Sequence, residues 1–208
     1  MCRLLYDRNY VVGHDGNVSL RLEGDRVLIT PSGVSKGRME PDMLVVCGLD
    51  GRVLEGDRYP SSEMAMHLLV YRERPDVGAV VHAHPPVSTA FAICRRPLSQ
   101  KYLTETISGL GEVPVAPYAL PSTREVPDSI RPYVAHHNAV LLANHGVLTW
   151  GKDLWTAFDR METVEQTAKI YAQVSQLGGG VELTPQQEAD LLALNSHYEK
   201  LSHRREDR

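Results

Sequence analysis

Apolar and polar positions along the chain change period several times, and each change marks an element. Asn17 to Leu22 and Arg26 to Thr30 alternate in steps of two and predict a β-hairpin turned at Glu23-Gly24-Asp25. Met43 to Leu49 predicts a third strand, closed by the turn signal Asp50-Gly51. Ser61 or Ser62 is placed to cap a helix that runs to about Arg74 and stops at Pro75. Gly78 to Ala83 is continuously apolar, as expected of a strand buried on both faces, and Pro85-Pro86 opens the next helix. A strand near Val113 to Ala116, a helix over about Ser122 to Ala135, and buried strands at Ala139 to Ala143 and Val147 to Trp150 follow. The longest helix runs from an Asp153 cap to about Leu177 and ends in Gly178-Gly179-Gly180, and a last one begins near Thr184-Pro185. The N-terminal run reads as helical turns with Leu4, Leu5 and Tyr10 facing inward. The sum is a mixed sheet with helices packed on it, α/β or α+β in class.

No repeat or linker divides this pattern, so residues 1–208 are expected to form a single domain. The formal net charge of -4 and the lack of a basic run exclude a nucleic-acid arm. The tail from about 200 to 208 mixes both signs and is expected to be flexible. No segment reaches the ~18 consecutive apolar residues of a membrane span. Cys2, Cys47 and Cys94 are odd in number and form no CxxC pair, which argues against a disulfide framework and suits a reducing cytoplasm.

Candidate chemistry begins at Val81-His82-Ala83-His84-Pro85. Residues two apart in a strand share a face, so His82 and His84 emerge side by side. They are either half of a site for zinc or another divalent metal, or a hydrogen-bonded pair at a strand end. His145, in Ala143-Asn144-His145-Gly146, ends another buried strand, with Gly146 allowing a tight turn, and it tips the balance toward metal. The other histidines read more plainly: His67 on a helix face, His136 and His137 at a helix end, His14 in a loop. Glu63, in Pro60-Ser61-Ser62-Glu63, either complements a helix start or reaches the metal and acts as a general acid/base. Gly16-Asn17-Val18-Ser19 and Thr30-Pro31-Ser32-Gly33, with the helix start at Ser61-Ser62, are ordinary turns or an anion cradle of small donors suited to a phosphate monoester.

Taken together, GNVSLRL, ITPSG, LEGDRYPSSEMAMH, RPDVGAVVHAHPP, VPVAPYALPSTRE and LLANHGVLTWGKDL resemble the class II aldolase/adducin family, from about Gly13 to Leu177. The resemblance implies a three-layer α/β/α fold with a central mixed, mostly antiparallel sheet, assembled as a homotetramer with active sites between subunits. It implies that His82, His84 and His145 hold one zinc ion per subunit, and that Glu63 reaches the metal and serves as acid/base. Asn17, Ser32, Gly33, Ser61 and Ser62 would hold the phosphate of a small sugar phosphate. The implied activity is cleavage of a ketose 1-phosphate to dihydroxyacetone phosphate and an aldehyde; L-fuculose 1-phosphate and 5-deoxypentulose or methylthioribulose 1-phosphates are candidate substrates.

The family also contains sugar-phosphate dehydratases, 4-epimerases, sugar-acid decarboxylases and the non-catalytic adducin head. A full ligand set argues against an assembly module of the last kind, and similar epimerases carry Asp where Glu63 stands. One segment departs from the aldolase pattern: Leu103, flanked by Tyr102 and Glu105, occupies the position of a tyrosine that reaches a neighbouring subunit's site. Glu105 is then an exposed loop residue or a further acid/base, and the second role would favour dehydration or epimerisation.

Overall fold

In the computed structural model, which describes residues 1–194, eight strands make one sheet. They are Asn17–Leu22 (β1), Arg26–Ile29 (β2), Val45–Gly48 (β3), Val53–Glu55 (β4), Ala79–Ala83 (β5), Val115–Ala116 (β6), Ala139–Leu142 (β7) and Gly146–Gly151 (β8). Their order is β4-β3-β2-β1-β5-β8-β7-β6, and every pair is antiparallel except β6 with β7. The helices are Cys2–Asp7 (α1), Met64–Glu73 (α2), Pro86–Ile93 (α3), Glu125–Val134 (α4) and Leu154–Gln176 (α5), and residues 185–194 are again helical. No described helix is long and apolar enough to cross a membrane. The expectation for the tail at about 200–208 lies outside the described residues.

The three-layer arrangement follows from alternation along the central strands. Ala79, Val81 and Ala83 of β5 join Leu141 and Val147 against Ala157, Met161, Val164 and Ala168 of α5. The intervening Val80, with Val140, Leu148 and Trp150, packs on Met66, Leu69 and Val70 of α2 and on Val126, Ile130 and Val134 of α4. Both faces are covered, so β5 is apolar throughout until its histidines. At roughly 1.5–3 kcal/mol for each fully buried aliphatic side chain, the middle of the sheet is its most strongly held part.

The elements follow the expected order, with three differences. The short edge strand β4 follows the Asp50-Gly51 turn and was not foreseen; its Val53, Leu54 and Glu55 are exposed, which hides the alternation that would signal a strand. Glu63, not Ser61 or Ser62, stands at the N-cap of α2, and no side chain caps it there. Helix α4 starts at Glu125 because Ser122 takes a left-handed φ of 64° that breaks helical continuity.

Helix α5 also supplies the missing cap of α3. No side chain within α3 caps its own N-terminus. The fully buried Glu165 accepts hydrogen bonds from Val87 N at 3.2 Å, Ser88 N at 2.9 Å and Ser88 Oγ at 2.8 Å. Orphan amides of a first helical turn need such acceptors, and these lie just past His84-Pro85. Glu165→Ala is expected to destabilise the fold by about 2–4 kcal/mol, since three donors, two of them buried, lose their partner. The check is a fall in urea midpoint at unchanged slope; a midpoint at the wild-type value would contradict the capping role.

Candidate active site

His82 ends β5 in the middle of the sheet, paired with Asn17 of β1 on one side and Leu148 of β8 on the other. Its Nδ1–H donates to Val147 O at 2.9 Å, which leaves the Nε2 lone pair facing outward. His84 follows on the same face, its Nε2 3.1 Å from that of His82 and its Nδ1 3.4 Å from Asp15 Oδ2. His145 comes from the turn between β7 and β8. Asn144, at φ 58°, makes the left-handed step there, so the turn does not rest on Gly146 as expected. Gly146 is required for a different reason: a Cβ would stand 2.5 Å from both Ala83 O and His84 Cδ2. Gly16 meets a similar limit at φ 69°, where a Cβ would lie 2.8 Å from His82 O.

Glu63 closes the cluster. Its Oε2 lies 3.2 Å from His82 Nε2, and its Oε1 lies 3.2 Å from His145 Nε2. Oε1 is buried and accepts no hydrogen bond. Ligand atoms of His82, His84 and His145 all fall within 4.8 Å of one another. Lone pairs and carboxylate oxygens about 3.3 Å apart are what a tetrahedral ion with ~2 Å bonds gathers around itself. The orphaned carboxylate oxygen and the facing imidazole lone pairs therefore fit a divalent cation.

The electrostatics agree. Burial alone would raise the Glu63 carboxyl, yet His82, His145 and Asn17 hold it well below the usual carboxylate range. Burial opposes charge on His82, but the neighbouring Glu63 carboxylate raises its imidazole above the ordinary value. Burial, then the His82 charge, pushes His84 and His145 down to about 4, so both are neutral and ligand-ready at pH 7.

Beside the cluster lies a cavity of about 230 Å³, lined by Asn17, Ser32, Gly33, Ser61, Ser62 and Glu63 with His84 and His145. A bridge between Pro31 and Pro60 draws the two serine segments together; Ser32 N donates to Tyr59 O, and Ser61 N to Thr30 O. Ser61 Oγ accepts the N–H of Glu63, the residue just before the helix, while the Glu63 carboxylate turns to the histidines. Glu105 is not brought to this cavity. It is exposed and lines a separate cleft with Arg8 and Glu162.

Two residues escaped the sequence reading. Lys36 is buried at the cavity, its Nζ donating to His14 O at 3.1 Å and Val34 O at 2.9 Å, and burial lowers its ammonium below the ordinary lysine value. His67 lies on a helix as expected, but it is fully buried behind Asn17 and bonded to it. Neither carries a local pattern that separates it from a surface residue.

Comparison with known proteins matches residues 1–172 to the family described as Class II Aldolase and Adducin N-terminal domain. A 3-oxo-tetronate 4-phosphate decarboxylase of Haemophilus influenzae is 37% identical over 174 residues, covering 81% of this chain and 82% of the relative. A 5-deoxy-D-ribulose 1-phosphate aldolase of Bacillus thuringiensis is 36% identical over 182 residues, covering 87% and 84%. Among solved structures, an L-fuculose 1-phosphate aldolase superposes with a TM-score of 0.85 at 35% identity, covering 92% of this chain and 91% of that one.

If the cluster is a metal centre, His82→Ala and His145→Ala should each lose most of the bound metal while staying folded, since two imidazoles and a carboxylate compete poorly with water. Metal analysis showing full occupancy in both variants would remove the site.

Proposed function

The chain belongs to the class II aldolase and adducin family, and from that premise we propose that it is a zinc-dependent aldolase releasing dihydroxyacetone phosphate and an aldehyde from a ketose 1-phosphate. The reading takes residues 1–208 as one domain of a cytoplasmic homotetramer with active sites between subunits, each holding one zinc through His82, His84, His145 and Glu63. The observation that carries it is the buried, unpartnered Glu63 Oε1 beside His145 Nε2, at the edge of a cavity lined with small donors.

Bound zinc would polarise the substrate's ketone and take up negative charge. The hydroxyls of Ser32, Ser61 and Ser62, with Gly33 and Asn17, hold the phosphate and fix the three carbons next to it. Glu63 takes the C4 hydroxyl proton as the C3–C4 bond breaks and the aldehyde leaves. Glu63, as the conjugate acid, returns a proton to the C3 carbanion.

The decarboxylase-named relative supports a second reading. A 3-oxo-tetronate 4-phosphate that loses carbon dioxide beside its ketone leaves the same three-carbon carbanion, which the same carboxyl group protonates to dihydroxyacetone phosphate. No base for a distal hydroxyl is then needed, which suits a cavity that Glu105 does not reach. Dehydration or epimerisation through Glu105 would require a second copy of the chain to bring it in. Supplying ketose 1-phosphates and 3-oxo-tetronate 4-phosphates side by side separates the readings: aldehyde release marks the aldolase, carbon dioxide release the decarboxylase. Release of neither, from a zinc-loaded protein, would sink both.

Glu63→Gln preserves size and much of the hydrogen bonding. Folding and histidine-bound metal should survive in it, while turnover falls by roughly 10²-fold or more. Exchange of a C3 proton of dihydroxyacetone phosphate with deuterium oxide should stop as well. Exchange at the wild-type rate in the folded, metal-loaded variant would assign the proton step to another group.

A further inference from the structure

Behind Glu63 runs a file of buried polar groups that the proposed chemistry does not use. Asn17 Nδ2 lies 2.9 Å from Glu63 Oε2, and Asn17 Oδ1 lies 2.5 Å from His67 Nε2. His67 Nδ1 is 2.7 Å from Ser19 Oγ, which is 2.8 Å from the Tyr71 hydroxyl. Asn17, Ser19, His67 and Tyr71 are all at least nine-tenths buried.

Only one arrangement of hydrogens satisfies the whole file. An ionised carboxylate only accepts, so Asn17 must turn its Nδ2 toward Glu63 and its Oδ1 toward His67. His67 must then donate through Nε2, and its Nδ1 must accept. Ser19 therefore donates to Nδ1, and its oxygen accepts from Tyr71. Every donor points the same way, toward Glu63, and bonds in such a chain polarise one another. Burial raises the Tyr71 hydroxyl above its ordinary value and pushes His67 down to about 3, so the first stays a donor and the second stays neutral at pH 7.

The weak point of any such chain is the asparagine. Its two ends have the same shape, and with Oδ1 turned to Glu63 it would repel the carboxylate. What decides the orientation is the group on the far side. We infer that His67 is a positioning residue for Glu63: its Nε2–H holds the Asn17 amide in the one orientation that pins Glu63 Oε2 and leaves Oε1 beside His145 Nε2, while Ser19 and Tyr71 hold His67 in the tautomer that makes this possible. The inference rests on the proposed role of Glu63 as proton donor and acceptor, and it adds a device that keeps this carboxylate in a single pose.

The test has two arms on the zinc-loaded protein at pH 7. In the first, histidine-labelled 15N NMR reads the ring of His67, assigned by its loss in His67→Gln. The expected signature is a neutral ring protonated at Nε2, with a shift of that nitrogen in Glu63→Gln passed through the Asn17 amide. A ring protonated at Nδ1, or one indifferent to Glu63→Gln, overturns the file. The second arm follows C3 exchange of dihydroxyacetone phosphate in deuterium oxide. His67→Phe should lower the saturated exchange rate about tenfold, with half-saturation within about twofold and metal content unchanged. His67→Gln, which can present an amide N–H to Asn17, should restore most of that loss. A folded His67→Phe with the wild-type rate, or a loss that Gln does not relieve, counts against the inference. Should His67→Phe fail to fold, Ser19→Ala serves: it frees Nδ1, and should show mixed tautomers with an intermediate rate; a pure Nε2–H ring at full rate would refute the role of Ser19. Failure of the Glu63 reading looks different, because Glu63→Gln would then exchange normally while the His67 signature remained.

Discussion

Three imidazole nitrogens and a carboxylate crowd one centre: His82 Nε2 lies 3.2 Å from Glu63 Oε2 and 3.1 Å from His84 Nε2, and His145 Nε2 lies 3.2 Å from Glu63 Oε1. Lone pairs turned on one another and on a carboxylate repel in a site of low dielectric, and a proton or a cation among them is attracted. A chain left to itself would relax by turning a ring or letting Glu63 out to solvent. The fold prevents both. His82 is rooted in the centre of an eight-stranded sheet and tied through Nδ1 to Val147 O, and Glu63 is tied through Oε2 to Asn17. A divalent cation bound there would relieve that repulsion, so any affinity of the cluster for metal would owe much to the sheet that holds its groups together.

That demand propagates outward as a set of close approaches. His84 and the β7–β8 turn pass so near one another that only a glycine fits at position 146, and the β5 backbone leaves room at position 16 for nothing larger. The loop after His84 cannot drift, because Glu165 reaches across from α5 to hold the first turn of α3. The bridge between Pro31 and Pro60 likewise fixes the serine segments beside Glu63. Positions that look like unrelated turns along the chain thus share one job: they let strands and loops approach a fixed centre from several directions.

What could be read from the sequence follows from how each residue announces itself. His82 and His84 stand two apart at the end of an apolar run, and a strand converts that spacing directly into a shared face. His145 lies beside a turn between two apolar runs and was legible for the same reason. His67 was not. Six successive residues of α2, Met66 to Tyr71, are all buried, so that helix has no polar face against which an inward histidine would stand out. Lys36 was missed because a buried ammonium satisfied by two backbone carbonyls leaves no trace in local spacing. Asn17 was expected at the phosphate and does line the cavity, but its amide is also committed to Glu63 and His67, a division of labour that depends on a contact across 50 residues.

The substrates named for the similar enzymes differ mainly in what leaves. On the proposed reading, an aldehyde or carbon dioxide departs and the same three-carbon phosphate remains with its carbanion to be protonated. On that reading the groups that one chain places around the cavity would serve only this shared half: donors for the phosphate, the histidine cluster for the ketone, and Glu63 for the carbanion. Protonating a carbanion needs one carboxyl oxygen held in one pose, whatever was lost beforehand, and the file from Tyr71 to Asn17 meets that need without touching the substrate. Selection of the leaving fragment must then come from elsewhere. Within a single chain Tyr102 and Glu105 lie away from the cavity, so on the proposed reading of a shared site a change of reaction would come from what a neighbouring copy brings, with the proton-handling centre left as it is.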